Sequence, residues 1–205
     1  MARYRGPKNR IARKFGTNIF GKQRNPLLHK PNPPGMHGAK RKKKSDFGIQ
    51  LEEKQKLRAV YGMLTQKQLI RAYNHVICKT GNTAHMFLEH LEARLDNIVY
   101  RLRFAATIFA AQQLVSHGHI LVNGKKVDRR SFQVKPGMKI SIKQASQSMK
   151  AVQASVQNTS VELPEYLTLS DQCTGQMQAP PAYDLIVLPL PINVPLVCEF
   201  IAHTA

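Results

Sequence analysis

The sequence predicts an α+β fold in which helices precede a small antiparallel sheet. From Phe47 onwards, apolar residues recur at spacings of three and four, which is typical of amphipathic helices. Between residues 120 and 142, short apolar and basic runs flank Asn123-Gly124, a pair that strongly favours a two-residue hairpin turn. The apolar share of 42% is enough to build real cores, which excludes a wholly disordered chain.

Residues 1–46 are predicted to be an irregular, basic N-terminal extension. They are rich in Gly, Pro, Asn and cations, and turn sequences such as KPNPPG at residues 30–35 punctuate them. Because these cations repel one another, we expect the order of the extension to depend on a polyanion. Its few large apolar side chains, such as Phe15 and Phe20, are available to pack or to stack.

Residues 47–93 are predicted to form a helical subdomain. One apolar stripe begins at Ile49, a second begins at Leu69 and stops before Gly81, and Thr83 is the expected N-cap of a third helix. Spacing of this kind indicates core residues rather than a binding site. The expected core residues are Ile49, Leu57, Val60, Tyr61, Leu64, Leu69, Tyr73, Val76, Ala84, Phe87, Leu88, Leu91 and Leu95.

Residues 94–142 carry the clearest pattern in the chain. The periodicity predicts two short helices, the second of which ends at His117 and Gly118. Residues 120–122 then lead into the hairpin turn, and residues 125–127 return as a basic strand. Pro136-Gly137 introduces a further strand over residues 138–142.

The C-terminal quarter has a different composition. Residues 151–205 contain no Lys or Arg and five acidic residues, so this segment is not expected to bind phosphate. Its apolar stretch, residues 183–202, is interrupted by Pro189, Pro191, Pro195 and two acids, whereas a membrane-spanning helix needs about 20 apolar residues. We therefore expect short buried strands here and no association with a membrane.

The charge of the chain points to a polyanionic partner. The formal net charge is +19, and all 31 Lys and Arg residues lie within residues 1–150. Such a field attracts nucleic acid, whatever the fold. Three widely spaced cysteines form no C-x-x-C pair, and the first residues lack the apolar core of a signal peptide, so we expect an intracellular protein. The expected location is the cytoplasm, or the stroma or matrix if the chain is organellar.

Residues 40–44 form a run of five consecutive cations, KRKKK, which we call the cation run. We expect it to hold folded RNA where backbones converge, while Gly35 and Gly38 let the main chain approach closely. His37 is a candidate for stacking or for binding phosphate, against the alternative of a solvated loop histidine. A nuclear-import sequence is the rival interpretation of any short basic run.

The chain resembles the family of small-subunit ribosomal protein S-four, of the bacterial or organellar type. The motifs that carry the resemblance are MARYRGPKNRIARKFG, PPGMHGAKRKKKSDFGIQLEEKQKLRAVYG, KTGN, RLDNIVYRL, QLVSHGHI, LVNG and VKPGMKISI, in the family's order across residues 1–150. The segment QLVSHGHI to VKPGMKISI alone resembles the small RNA-binding module of that name, which other protein families also carry. Because this family is bacterial or organellar, the resemblance argues against the interpretation of the cation run as a nuclear-import sequence.

The resemblance implies a helical subdomain interrupted by an inserted module of two helices and a small sheet. The expected division is residues 1–46, the basic extension; 47–93, the helical subdomain; 94–155, the module; and 156–205, an acidic segment packed on the helical subdomain. It further implies direct binding to small-subunit ribosomal RNA, early nucleation of assembly, and a location where messenger RNA enters, with a contribution to translational accuracy. Neighbouring ribosomal proteins, and possible contacts with messenger RNA, are the other implied partners. Some relatives have a cysteine cluster for zinc in the N-terminal region, but this chain has no Cys before Cys78, so no metal or cofactor is expected.

The predicted RNA-binding residues form two groups. The first group comprises the cations of the extension, the cation run and the first helix: Arg3, Arg5, Lys8, Arg10, Arg13, Lys14, Lys22, Arg24, His37, Lys40, Arg41, Lys42, Lys43, Lys44 and Arg58. The second belongs to the module: Arg94, Arg101, Arg103, Gln113, His117, Lys125, Lys126, Arg129 and Arg130. Such surfaces recognise shape, phosphates and 2′-hydroxyls rather than base sequence. The chain departs from the family at Ile108 and Gln112, where many relatives have Arg, which leaves RNA contact from that part of the helix open.

Two alternative functions compete with RNA binding within the ribosome. Pseudouridine synthases with this module use an aspartate in an Arg-Leu-Asp context, which Arg94-Leu95-Asp96 matches, but Asp96 lies inside the module, and the chain is predicted not to be an enzyme. We expect Asp96 to pair with a neighbouring Arg or to cap a turn. A free-standing RNA chaperone or a repressor of its own messenger remains open, because the same phosphate contacts would bind a messenger that mimics the ribosomal site.

Overall fold

The computed structural model of the chain describes residues 4–21, 24–40, 43–157 and 163–204. The chain forms two compact units. We call residues 1–84 with 188–205 the helical unit and residues 85–187 the sheet unit. The combination of helices with one small antiparallel sheet confirms the predicted α+β class.

The described residues of the helical unit form two short helices in the extension and three longer ones. Their bounds are α1 (Lys8–Phe15), α2 (Pro26–His29), α3 (Asp46–Val60), α4 (Gln66–Ile77) and α10 (Val194–Thr204). The extension is therefore less irregular than predicted. Pro7 precedes α1, Gly16 ends it in the left-handed conformation at φ 67°, and the Gly16 N–H donates to the Ala12 carbonyl.

Caps and buried stripes explain α3 and α4. The Ser45 side chain accepts a hydrogen bond from the Gly48 N–H, and Thr65 with Gln68 forms a capping box at the start of α4. The predicted core is largely confirmed, since Leu57, Tyr61 and Leu64 are buried, as are Leu69, Tyr73 and Val76. Ile49 is an exception, because 40% of its surface is exposed.

Helix α10 occupies the stretch in which short strands were predicted, and that prediction was wrong. Pro195 lies in the first helical turn, where a missing N–H costs nothing, and the Asn193 side chain accepts from the Leu196 N–H. The helix packs on α3, where the Phe47 and Phe200 rings lie 5.3 Å apart. The Lys54 ammonium lies 4.0 Å from the centre of the Phe200 ring, and burial, followed by the charge of Arg58, lowers the pKa of Lys54.

The sheet unit begins within α5 (Thr83–Glu92), whose first two residues belong to the helical unit. The helices that follow are α6 (Leu95–Arg101), α7 (Ile108–Ser116), α8 (Gln144–Gln147), α9 (Lys150–Gln157) and a 3-10 turn at Tyr183–Leu185. Helix α5 is capped one residue earlier than predicted, because the Asn82 side chain accepts from the Ala84 N–H. Helix α7 ends at Ser116, followed by His117 as its C-cap and Gly118 at φ 73°, in agreement with the prediction.

The sheet has five antiparallel strands in the order β2-β1-β3-β5-β4. They are β1 (Ile120–Val122), β2 (Lys125–Lys126), β3 (Lys139–Ile142), β4 (Leu167–Asp171) and β5 (Thr174–Met177). The predicted hairpin is confirmed: Val122 pairs with Lys125, and Asn123 and Gly124 have φ values of 48° and 78°. Ile120, Ile140, Ile142 and Met177 direct their side chains into one buried cluster with the stripes of α6 and α7.

The predicted segment 156–205 is divided between the two units. Strand β5 pairs with β3, so residues 163–187 belong to the sheet unit, and only residues from 188 onwards pack with α3. At the other end, Glu92 lies outside the predicted module but is fully buried in the sheet unit. No helix among the described residues is long and apolar enough to span a membrane.

Candidate nucleic-acid interface

Most of the predicted cations of the extension face solvent. The exposed members are Arg5, Arg10, Lys14, Arg24, Lys40, Lys43 and Lys44, together with His37. Lys8 and Arg13 are half-buried. Arg3, Lys22, Arg41 and Lys42 lie outside the described residues, so their place in the interface stays a prediction.

Helix α1 carries part of this charge. Ala12 is buried, while Arg10 and Lys14 lie on the exposed side. Arg13 and Lys14 lie in the last turn, where cations are favoured by the partial negative charge of the helix end. The Lys14 ammonium also donates to the Gln55 side chain on α3, which ties the helix to the body of the helical unit.

The described part of the cation run remains available to a ligand. Lys40 and Lys43 are exposed, and Lys44 forms an ion pair with Glu52 while 56% of its side chain stays accessible. A surface pair of this kind contributes roughly 0–1 kcal/mol, so phosphate can replace the carboxylate at small cost.

Arg58 has a different position from the other predicted cations of this unit. Its Nε donates to the Leu64 carbonyl at 2.6 Å, and burial lowers the pKa of the guanidinium. The backbone carbonyl of Arg58 also accepts from the Met63 N–H at 2.7 Å. Arg58 therefore stabilises the turn after α3, and its contact with RNA stays a prediction.

In the sheet unit, an exposed basic surface surrounds the β1–β2 hairpin. Both β2 lysines are exposed, as are Gln113, His117 and Arg129. The Lys126 side chain lies against the end of α7. A Cβ atom at Gly118, just after this helix, would lie only 2.1 Å from Lys126 Cε. We call this the hairpin surface: Gln113, His117, Lys125, Lys126 and Arg129, with Lys139 and Lys143.

Lys139 and Lys143 were missed from the sequence. The Lys139 N–H donates to the Asn123 side chain at 2.8 Å, and the Asn123 N–H donates to the Lys139 carbonyl at 2.8 Å, so Lys139 flanks the hairpin tip. The Lys143 N–H donates to the His119 carbonyl at 2.8 Å, next to the end of α7. The alternation in KISIK, with Ile140 and Ile142 buried, could have placed both lysines opposite the core.

Two predicted RNA-binding arginines, Arg94 and Arg130, belong to a buried network. Arg94 donates to both carboxylate oxygens of Asp96, at 3.1 and 2.9 Å, which confirms the expected pairing of that aspartate. The Gln112 amide donates to Asp96 at 3.3 Å and accepts from the Arg130 guanidinium at 3.1 Å. Arg94 and Arg130 are only 7% and 8% exposed, and their contact with RNA stays a prediction.

Arg101 belongs to a second buried network. Its Nε donates to the Glu92 carboxylate at 2.7 Å, and its Nη2 donates to the Val187 carbonyl at 2.9 Å. The same Glu92 oxygen accepts from the Tyr166 hydroxyl at 2.8 Å. Burial, then the charge of Glu92, raises the pKa of Tyr166, which keeps the hydroxyl protonated as a donor.

The Arg101 guanidinium therefore neutralises a buried acid, and its contact with RNA also stays a prediction. Arg103 is half-buried at a φ of 64° and lines a cavity with Leu102 and Asp171, so its contact with RNA stays a prediction. Arg101 and Arg130 could not be assigned to these networks from local charge, since Glu92 and Gln112 lie 9 and 18 residues away along the chain.

The arrangement has the chemistry of a binding surface, with exposed ammonium and guanidinium groups on a folded α+β body. Two family models match the chain in succession. Residues 3–92 match the ribosomal protein S4/S9 N-terminal domain, and residues 93–140 match the S4 domain. Together they define the chain as a ribosomal protein built on an S4 domain.

Three relatives are similar to this chain over nearly their full length and support the same assignment. The chain is 63% identical to the small ribosomal subunit protein uS4 of Chlamydia trachomatis serovar D over 207 residues, 99% of each chain. It is 60% identical to the small ribosomal subunit protein uS4 of Protochlamydia amoebophila over 205 residues, which cover both chains completely. It is 59% identical to the uS4 protein of Chlamydia caviae over 207 residues, which cover 99% of each chain. The chain belongs to the uS4 family of small-subunit ribosomal proteins. Both the resemblance found in the sequence and the prediction that the chain is not an enzyme are confirmed.

Proposed function

We propose that this chain is a structural constituent of the small ribosomal subunit that binds small-subunit ribosomal RNA directly. The separation of charges carries the proposal: Glu92 and Asp96 are buried against arginines, while Lys40, Lys43 and both β2 lysines face solvent. Because arginines neutralise the buried acids, the lysines that face solvent keep their positive charge for a polyanion.

Binding would depend on phosphates rather than on base sequence. Lysines act as mobile point charges, and exposed arginines such as Arg5 and Arg129 can contact two phosphate oxygens at once. Double-helical RNA hides its base edges in a deep, narrow groove, so a rigid basic hairpin recognises the spacing of backbones. The extension and the hairpin surface belong to separate units, which suits an RNA site made of several helices.

The place of the chain in the ribosome is also proposed. Direct RNA binding would let it join early and nucleate assembly, with neighbouring ribosomal proteins added later. A location where messenger RNA enters would let it contribute to translational accuracy in the cytoplasmic ribosome.

The deciding experiment is the affinity of the purified chain for small-subunit ribosomal RNA across a salt series. Transfer RNA and an unrelated structured RNA serve as competitors. We expect the chain to bind ribosomal RNA selectively, and the logarithm of its binding constant to fall linearly with the logarithm of the salt concentration. Equal binding of all three RNAs would overturn the proposal, because charge alone would then explain the affinity.

A further inference from the structure

Arg13 holds a neighbouring loop of the extension. Its Nε donates to the carbonyls of Lys30 and Asn32 at 3.1 and 3.0 Å, and its Nη2 donates to the Pro33 carbonyl at 3.4 Å. A guanidinium presents its donors in a rigid, planar fork, so three such contacts fix the direction of the loop relative to α1. We call residues 30–40 the held loop.

The remainder of the held loop consists of tight turns. The Gly38 N–H donates to the Gly35 carbonyl at 3.3 Å, and the Lys40 N–H donates to the His37 carbonyl at 3.1 Å. Gly35 has a φ of 108°, and a Cβ at Gly38 would lie 2.1 Å from the Pro33 carbonyl oxygen. Only glycine suits these two positions, so the loop has one defined shape.

This shape presents an apolar side chain to solvent. Met36 is 93% exposed, and His37 beside it is exposed. Cations flank them along the chain, with Lys30, Lys40 and Lys43 all exposed. An exposed apolar side chain on a fixed loop, with cations on both sides along the chain, suits folded RNA, because the cations attract the backbone while a polarisable thioether packs on a base.

The geometry points to Met36 as a contact to an unpaired base of folded RNA and to Arg13 as the positioning residue that holds it there. A protein partner is disfavoured, because its surface would have to tolerate the surrounding cations. This inference rests on the proposed binding of ribosomal RNA and adds the kind of nucleotide that the extension recognises.

The first test compares Met36→Ala with Leu28→Ala in the full chain. Leu28 is a matched control, since it is an apolar residue of the same extension that is 82% exposed. Met36→Ala should lower the affinity for small-subunit ribosomal RNA by roughly five- to tenfold without changing the salt slope, because a thioether carries no charge. Leu28→Ala should change the affinity by less than about twofold. Equal losses at both positions would overturn the assignment to the held loop.

The second test separates positioning from phosphate contact at Arg13. A positioning role predicts that Arg13→Lys and Arg13→Ala lose affinity equally, that the salt slope stays constant, and that adding Met36→Ala to Arg13→Ala costs nothing more. If Arg13 instead contacted phosphate, Arg13→Lys would keep most of the affinity. Arg13→Ala would lower the slope by roughly 0.7–0.9, and its effect would add to that of Met36→Ala.

Failure of the inference can be distinguished from failure of the proposed function. If the unmodified chain does not select ribosomal RNA over the competitors, the proposed function fails. If it selects that RNA, but Met36→Ala binds equally well and impairs only the addition of a later ribosomal protein, the held loop contacts protein and the inference is overturned. Thermal unfolding of each free variant checks folding, and Met36, being exposed, tests the contact without disturbing the fold.

Discussion

Tyr166 and Glu92 are joined by a hydrogen bond of 2.8 Å, although 74 residues separate them in the chain. Glu92 is fully buried, and Arg101 donates to the same carboxylate oxygen at 2.7 Å. The bond attaches the segment before β4 to the end of α5 within the sheet unit. A carboxylate buried this deeply needs each of its donors, because an unsatisfied charge in a low dielectric is costly.

Tyr166→Phe should therefore destabilise the protein. Loss of a hydrogen bond to a charged group costs about 1.5–3 kcal/mol, which urea unfolding followed by circular dichroism can measure. Tyr183→Phe is the control: the ring of Tyr183 stacks on His85 at 4.0 Å without using its hydroxyl, and a change within about 0.5 kcal/mol is expected. Equal losses in both variants would contradict the importance of the bond to Glu92.

Arg129 and Arg130 are adjacent in sequence and should respond differently to replacement. Arg129 is exposed, so Arg129→Ala should reduce RNA affinity and leave the unfolding free energy unchanged. Arg130 is buried and donates to Gln112, so Arg130→Ala should cost about 1–3 kcal/mol of stability. Measuring RNA affinity and urea unfolding for both variants checks the difference. An Arg130→Ala protein of full stability would contradict a stabilising role for the bond to Gln112.

Much of the fold could be predicted because it depends on local rules. Asn123-Gly124 specifies its hairpin through backbone conformations that few other pairs adopt readily. The stripes of α3 to α7 follow from helical periodicity alone. Helix α10 was mistaken for strands because its prolines were taken as breakers, although Pro195 lies in the first turn, where proline is tolerated.

The candidate interface could be predicted only in part, because the sequence does not show whether a charged side chain faces solvent or the interior. Lys125 and Lys126 were predicted from their charge beside the hairpin turn, and the structure shows that both are exposed. Arg94 and Arg101 also lie in basic stretches of the sequence, but they form ion pairs with buried carboxylates. Whether an arginine faces solvent depends on tertiary partners such as Glu92 and Gln112, which neither periodicity nor charge density reveals.

Stability should fall at alkaline pH because of Cys198 on α10. Burial first, then the charge of Glu199, raises the pKa of Cys198 from 9.0 to about 11. Between these values the folded chain holds more protons than the unfolded chain, so the contribution of this thiol to the unfolding free energy decreases as pH rises. The loss should approach about 2 kcal/mol.

Cys198→Ala provides the measurement. Its unfolding free energy, followed from pH 8 to pH 11, should decrease less steeply than that of the unmodified chain, because alanine does not titrate. Removal of the sulfur also loses packing contacts, which lowers the unfolding free energy of Cys198→Ala by the same amount at every pH and leaves its slope against pH unchanged. Parallel curves for the two proteins would show that Cys198 does not titrate differently in the folded state.

The cation run should dominate the salt dependence of RNA binding. Replacing residues 40–44 by alanine should weaken binding to every RNA and lower the salt slope by roughly 0.7–0.9 for each phosphate that the variant no longer binds. The comparison is Arg129→Ala, which removes one exposed charge and should have a smaller effect. An unchanged slope after loss of the whole run would show that these side chains bind no phosphate.

The ion pair between Lys44 and Glu52 predicts a gain of affinity on removing the acid. Glu52 holds Lys44 in the free protein, so phosphate must replace a carboxylate before that lysine can contribute. Glu52→Gln should therefore tighten RNA binding by about two- to fivefold, as expected for release of one surface ion pair. The gain should vanish when Lys44→Ala is added, because the freed ammonium is then absent. A gain that persists without Lys44 would instead reflect the general loss of a negative charge near the RNA, and Lys44 would not be the group that Glu52 restrains.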